Sequence, residues 1–147
     1  MFSFDANILF YAADKDAGHR HAAARHLLHD AAGPSAVLTE QVLFEFYHSA
    51  TKKRRIPARH AAAIIGDLAR NFTLIFAHET IVEDVLQLMS RHHLSVWDAR
   101  VLAVCAANEC RILLSEDMQD GATYGGVRVL NPFVPKNATL IGELLAS

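Results

Sequence analysis

Short apolar runs that alternate with helical segments set the tightest limit on what this chain can fold into. The runs span residues 2–4, 36–38, 72–76, 111–115 and 127–130 and are dominated by Phe, Val, Leu and Ile. A strand with one wet face alternates apolar and polar residues. Strands that are apolar nearly throughout belong to a parallel sheet covered on both faces. The expected architecture is therefore α/β: a three-layer α/β/α arrangement around a short, mostly parallel central sheet. Such sheets bind ligands beyond the carboxyl ends of their strands, where the strand order switches.

The intervening segments carry helix signals. Helices are expected at 8–13, 20–31, 40–52, 57–70 and 79–92, with a further one opening at Ser95 or Val96. Gly33-Pro34 stops the second. Thr39 caps the third, whose apolar stripe is Val42, Leu43, Phe46, Tyr47 and Ala50. Pro57 suits the first turn of the fourth. Gly121, Gly125 and Gly126 mark loop, and Thr139 is expected to cap a short C-terminal helix.

With 147 residues, 52% of them hydrophobic, the chain suits one domain with a real core, not a disordered segment. Fourteen Lys and Arg against 16 Asp and Glu give a net charge of -2, which excludes a uniformly basic surface. A nucleic-acid substrate remains compatible, because an acidic site can bind phosphate through a cation. The two cysteines, Cys105 and Cys110, read as core fillers in a reducing compartment. The apolar N-terminal run lacks a preceding basic residue and is interrupted by Asp5, so no secretory leader is expected. No apolar stretch nears the roughly 20 residues that span a bilayer. The expected location is the cytoplasm.

Three acids stand in informative places. Asp5 and Asp117 each follow a predicted strand, which puts both on one rim of the sheet. Asp98 lies on a helix face with Val101, Leu102 and Cys105, where an unpaired charge is costly. Its removal is therefore expected to leave metal-free stability equal or raised. Glu45 falls beside the apolar stripe of its helix, and a helical wheel alone makes it an ordinary solvated residue. Carboxylates gathered in one cleft repel each other. Hard divalent cations resolve this, and Mg²⁺ or Mn²⁺ suits oxygen ligands. No His/Cys set has zinc spacing. A carboxylate-held pair of such ions, about 4 Å apart, is suited to phosphodiester hydrolysis.

Each residue also has a plainer reading. Asp98 could pair with Arg100 or Arg111, Asp5 could cap a helix, and Asp117 could serve a turn. Trp97 reads as core. Lys52, Lys53, Arg54 and Arg55 form either a solvated helix end or a contact for an RNA backbone. Two rival functions follow. One is a phosphohydrolase of the haloacid-dehalogenase type with Asp5 as nucleophile, although Asn7 stands where that chemistry needs a second Asp. The other is a non-catalytic binding module.

Four motifs, in order, carry a resemblance. Phe4-Asp5-Ala6-Asn7-Ile8-Leu9, Gln41-Val42-Leu43-Phe44-Glu45-Phe46, Trp97-Asp98-Ala99 and Leu114-Ser115-Glu116-Asp117-Met118-Gln119-Asp120-Gly121 resemble PIN-domain ribonucleases, nearest to the VapC-like toxins of toxin–antitoxin pairs. The likeness runs from residue 2 to about Phe133, including Val129-Leu130-Asn131-Pro132-Phe133. It implies one PIN-like domain with a core over 2–133 and a C-terminal tail over 134–147. It further implies that Asp5, Glu45, Asp98 and Asp117 hold Mg²⁺ or Mn²⁺ for RNA hydrolysis, and so promotes Glu45. Asn7 and Ser115 match supporting polar positions, Asp120 is a peripheral fifth acid, and Glu116 faces away from Asp117. A homodimer and a VapB-like antitoxin partner are implied in the same way.

Overall fold

The computed structural model describes residues 1–31, 33–52 and 56–146; Lys53, Arg54 and Arg55 lie outside the described residues. The chain runs β1 (Phe2–Phe4), α1 (Ala6–Ala13), α2 (His19–Asp30), β2 (Ala36–Thr39), α3 (Glu40–Lys52), α4 (Ala58–Asn71) and β3 (Thr73–Ile75). It continues with α5 (Ile81–His92), α6 (Val96–Ala107), β4 (Ile112–Leu114), β5 (Thr123–Tyr124), β6 (Val127–Leu130), a 3₁₀ turn (Pro135–Asn137) and α7 (Ala138–Leu145).

The strands form one sheet in the order β3-β2-β1-β4-β6-β5. All neighbours are parallel except β5, which runs antiparallel to β6. This is the expected three-layer α/β/α arrangement. Helix α1 packs on α2 and α3, and α3 on α4; α5 packs on α6, which lies on β2, β4 and β6. Every residue of β1 and β2 is buried, as their composition requires, and β4 is buried but for its first residue, Ile112. Among the described residues, no helix is long and apolar enough to cross a membrane.

Four local expectations differ from the structure. The glycine pair after Tyr124 is not simple loop. Gly125 and Gly126 both take positive φ (55° and 85°), the geometry of a tight hairpin turn, and Tyr124 pairs with Val127 across it. Thr139 lies inside α7, and Asn137 occupies the position before that helix. On α3, Val42, Leu43, Phe46 and Ala50 are buried, but Tyr47 faces solvent. Trp97 is 61% exposed, because it sits in the first turn of α6, which overhangs the core.

Candidate active site

The sheet's order reverses beside β1. The chain first adds β2 and β3 on one side, then β4 and its successors on the other. The crevice between the carboxyl ends of β1 and β4 is therefore the place where this topology holds a ligand. Phe4 pairs with Leu114, so the residues after each strand, Asp5 and Ser115, fall level. The Asp5 amide extends the ladder by donating to the Leu114 carbonyl at 2.9 Å.

Asp5 is 8% exposed. Its Oδ1 accepts from the Ala6 amide at 2.7 Å, capping α1, and its Oδ2 accepts from the Ser115 hydroxyl at 2.6 Å. The cap and the cleft position coexist in one side chain. Burial pushes the Asp5 pKa up to about 6. The Ser115 and Ala6 hydrogen bonds oppose that rise, and the nearby Asp117 and Glu45 add to it. Ser115 Oγ also accepts from the Asp117 amide (3.2 Å) and from Asn7 Nδ2 (3.4 Å), so one hydroxyl joins three residues of the rim. Asn7 Nδ2 also reaches Asp5 Oδ2 at 3.4 Å, while its Oδ1 is buried with no hydrogen-bond partner.

The opposite wall comes from helices. Glu45 and Ser49 project from α3, and Asp98 from the first turn of α6. Ser95 caps α6 by accepting from the Asp98 amide at 3.1 Å. Asp5, Glu45, Asp98 and Asp117 together line one cleft of about 310 Å³, with Asn7, Phe10, Tyr11 and Ser49. Among the described residues, no three His, Cys, Asp or Glu side chains are drawn close enough to hold one ion.

The burial expected for Asp98 is corrected. Val101, Leu102 and Cys105 are buried on its face as the wheel requires, but Asp98 itself is only half-buried. A wheel gives the direction of a side chain, not the depth at which its helix begins. Here α6 starts at the sheet's rim, so its first turn overhangs the core. Asp5 is the costly acid instead. Arg100, a partner for Asp98 in the plainer reading, binds elsewhere, pairing with Glu40 at 2.7 Å.

Asp120, expected as a peripheral fifth acid, is not among the residues lining the cleft. Its Oδ1 accepts from the Asn131 amide (2.8 Å) and Asn137 Nδ2 (2.7 Å), and its Oδ2 pairs with Lys136 (2.7 Å). These bonds hold the carboxyl down at about 2 and fasten the chain after β6. Glu116 faces away from the acids, as expected. It accepts from the Tyr11 hydroxyl at 2.7 Å and from Arg20, whose guanidinium also stands over the Tyr11 and Phe133 rings. Arg20 holds Glu116 below the ordinary range, and burial followed by Glu116 pushes Tyr11 up to about 12. Lys52 is exposed at the end of α3.

Sequence reasoning missed Tyr11, Ser49 and Gln41, and weighed Arg100 only as a partner of Asp98. Gln41 precedes Glu45 by one helical turn, a spacing that brings side chains together and could have flagged it.

Several solved structures share this fold. VapC20 of Mycobacterium tuberculosis, a toxin that cleaves the Sarcin-Ricin loop, is 18% identical with a TM-score of 0.65, over 80% of this chain and 90% of that one. A toxin–antitoxin complex from Klebsiella pneumoniae is 23% identical with a TM-score of 0.64, over 90% and 98%. VapBC2 of Rickettsia felis, bound to a DNA fragment from its promoter, is 12% identical with a TM-score of 0.64, over 88% and 97%. No curated protein sequence matches this one. The PIN domain family model matches residues 3–119, a stretch that takes in the crossing from β1 to β4 and all four acids of the cleft, and the chain belongs to the PIN-domain family.

Proposed function

We propose that this protein is a metal-dependent endoribonuclease and the toxin of a VapBC-type toxin–antitoxin pair. The observation that carries this reading is the convergence of Asp5, Glu45, Asp98 and Asp117 on one cleft at the switch point of the sheet. By donor type, the four carboxylates of the cleft suit Mg²⁺ or Mn²⁺. Every polar group that lines it offers oxygen, Asn7 Oδ1 is buried without a partner, and burial with neighbouring acids already penalises the Asp5 charge. When bound, a divalent cation would offset the clustered negative charge, acidify a water for attack on phosphorus and stabilise the leaving oxygen.

The chain's own residues supply position. Two hydrogen bonds fix the Asp5 carboxyl at the end of β1. Ser115 ties the backbone of Asp117 to the same point. Ser115 and Asn7 thus act by orienting the acids, which is how outer partners tune a metal site. Lys52, with Lys53, Arg54 and Arg55 following in sequence, provides positive charge for an RNA backbone. A VapB-like antitoxin partner is suggested by the Klebsiella complex and the Rickettsia VapBC2 structure. A homodimer, a single domain over 1–147 and a cytoplasmic location complete the proposal.

The test is single-stranded RNA incubated with purified protein in Mn²⁺ and in EDTA. Cleavage should need Mn²⁺ and fall by about 100-fold or more in Asp5→Asn. Undiminished cleavage in EDTA would overturn the metal dependence. Tight partner binding with no cleavage would favour a binding module, and a phosphoryl group trapped on Asp5 would favour the phosphohydrolase.

A further inference from the structure

Gln41 is buried at the start of α3, between the two helices that form one wall of the cleft. Both N–H groups and the oxygen of its side-chain amide are engaged. Nε2 donates to Glu45 Oε1 and to the Trp97 carbonyl at 3.0 Å, while Oε1 accepts from Arg100 Nη1 at 2.7 Å. The second arm of Arg100 donates to Glu40 Oε1 at 2.7 Å, and Glu40 Oε2 accepts from the backbone N–H of Gln41 at 3.0 Å.

Each partner can play one role only. A guanidinium has donors and no acceptor, whereas a backbone carbonyl has no proton to give. The oxygen of the Gln41 amide must therefore face Arg100, which leaves its two N–H groups for Trp97 and Glu45. Arg100 sets the orientation of the amide, and the amide sets one oxygen of Glu45. The same amide bridges α3 to α6 at the residue before Asp98. It therefore fixes the helix that carries Glu45 against the helix that carries Asp98.

We propose that Gln41 is a positioning residue for the cation site: held by Arg100 and the Trp97 carbonyl, it presets the Glu45 carboxyl and the spacing of the two helix-borne acids. The inference rests on the metal-nuclease reading and deepens it. A preset carboxyl has less side-chain freedom to lose when an ion binds. A residue that only glued α3 to α6 would change stability and leave ion affinity alone.

The experiment is calorimetric titration of Mn²⁺ into the wild-type chain, Gln41→Met, Arg100→Met and the double variant, with melting temperatures recorded beside it. Gln41→Met should weaken Mn²⁺ binding about tenfold, the range seen for outer partners of metal ligands. Saturating Mn²⁺ should restore most of the rate on single-stranded RNA. Arg100→Met leaves Gln41 packed but free to turn, so it should weaken Mn²⁺ less, in the same direction. The double variant should bind no more weakly than Gln41→Met, because both changes act on one bond. An unchanged Mn²⁺ affinity in Gln41→Met, or losses that add in the double variant, would overturn the proposal. If Gln41→Met does not fold, Arg100→Met decides: wild-type Mn²⁺ affinity there overturns it too. A wild-type chain that neither binds Mn²⁺ nor cuts RNA overturns the nuclease reading itself, an outcome distinct from normal wild-type activity with an indifferent Gln41.

Discussion

The two walls of the cleft hold their acids in opposite ways. On the sheet wall, Asp5 is buried, receives hydrogen bonds from Ala6 and Ser115, and has its pKa pushed up to about 6. On the helix wall, Asp98 is half-buried in the first turn of α6, where the helix dipole favours a negative charge. The strand-end acid is a source of strain in the metal-free chain, whereas the first-turn acid gains modestly from its helix. Apolar neighbours on a wheel do not distinguish the two cases; depth within the fold does.

The largest test of this contrast is Asp5→Asn. The folded pKa of Asp5, about 6, lies above its ordinary 3.8. Its neutral form is favoured on folding, so its contribution is full below pH 3.8 and lost as pH rises through about 6. In EDTA, Asp5→Asn should stabilise the chain at pH 7.5 by up to about 3 kcal/mol, from 1.4 kcal/mol per unit. Urea unfolding from pH 4 to 8 measures this. A variant that keeps the wild-type slope between pH 4 and 6 would remove Asp5 as the strained group.

Asp120 provides the opposite sign in a separate window. Its pKa is held at about 2, so its contribution is present above 3.8 and lost as pH falls through 2. Asp120→Ala should cost about 1–2 kcal/mol through its lost hydrogen bonds and leave Mn²⁺ affinity unchanged. Weakened Mn²⁺ binding in this variant would return Asp120 to the site.

A smaller effect is expected from Asp98→Asn in EDTA, a loss of a few tenths to about 1 kcal/mol. A clear gain in melting temperature would restore the expectation of a buried, strained Asp98. Smallest in free energy is the pair Lys52→Ala with Lys53→Ala. It should weaken RNA binding a few-fold and flatten its salt dependence by roughly 0.7 per lost phosphate contact. An unaltered salt slope would assign this run to solvent.

The layered fold was legible because its strands are apolar throughout and its helices carry caps, as Thr39 and Ser95 do. β5 was less so: two residues give no periodicity, and only the Gly125-Gly126 turn signals a hairpin. The strand-end acids followed from the topology alone. Glu45 needed the family resemblance, since a residue beside an apolar stripe reads as solvated. The role of Arg100 stayed hidden because its bonds reach residues 59 and 60 positions away, whereas Gln41 was open to notice through its one-turn spacing from Glu45.

The register of β1 on β4 has a consequence for when this chain can act. Ser115 meets Asp5 only because Phe4 lies opposite Leu114. A slip of one residue would turn Ser115 to the other face of the sheet, and a slip of two would carry it about 6.6 Å away. In either case the desolvated Asp5 would lose its Ser115 donor, and Asp117, hydrogen-bonded to Ser115, would be carried away with it. A chain with a misaligned sheet thus fails to gather the acids of the cleft as well as to build a native core.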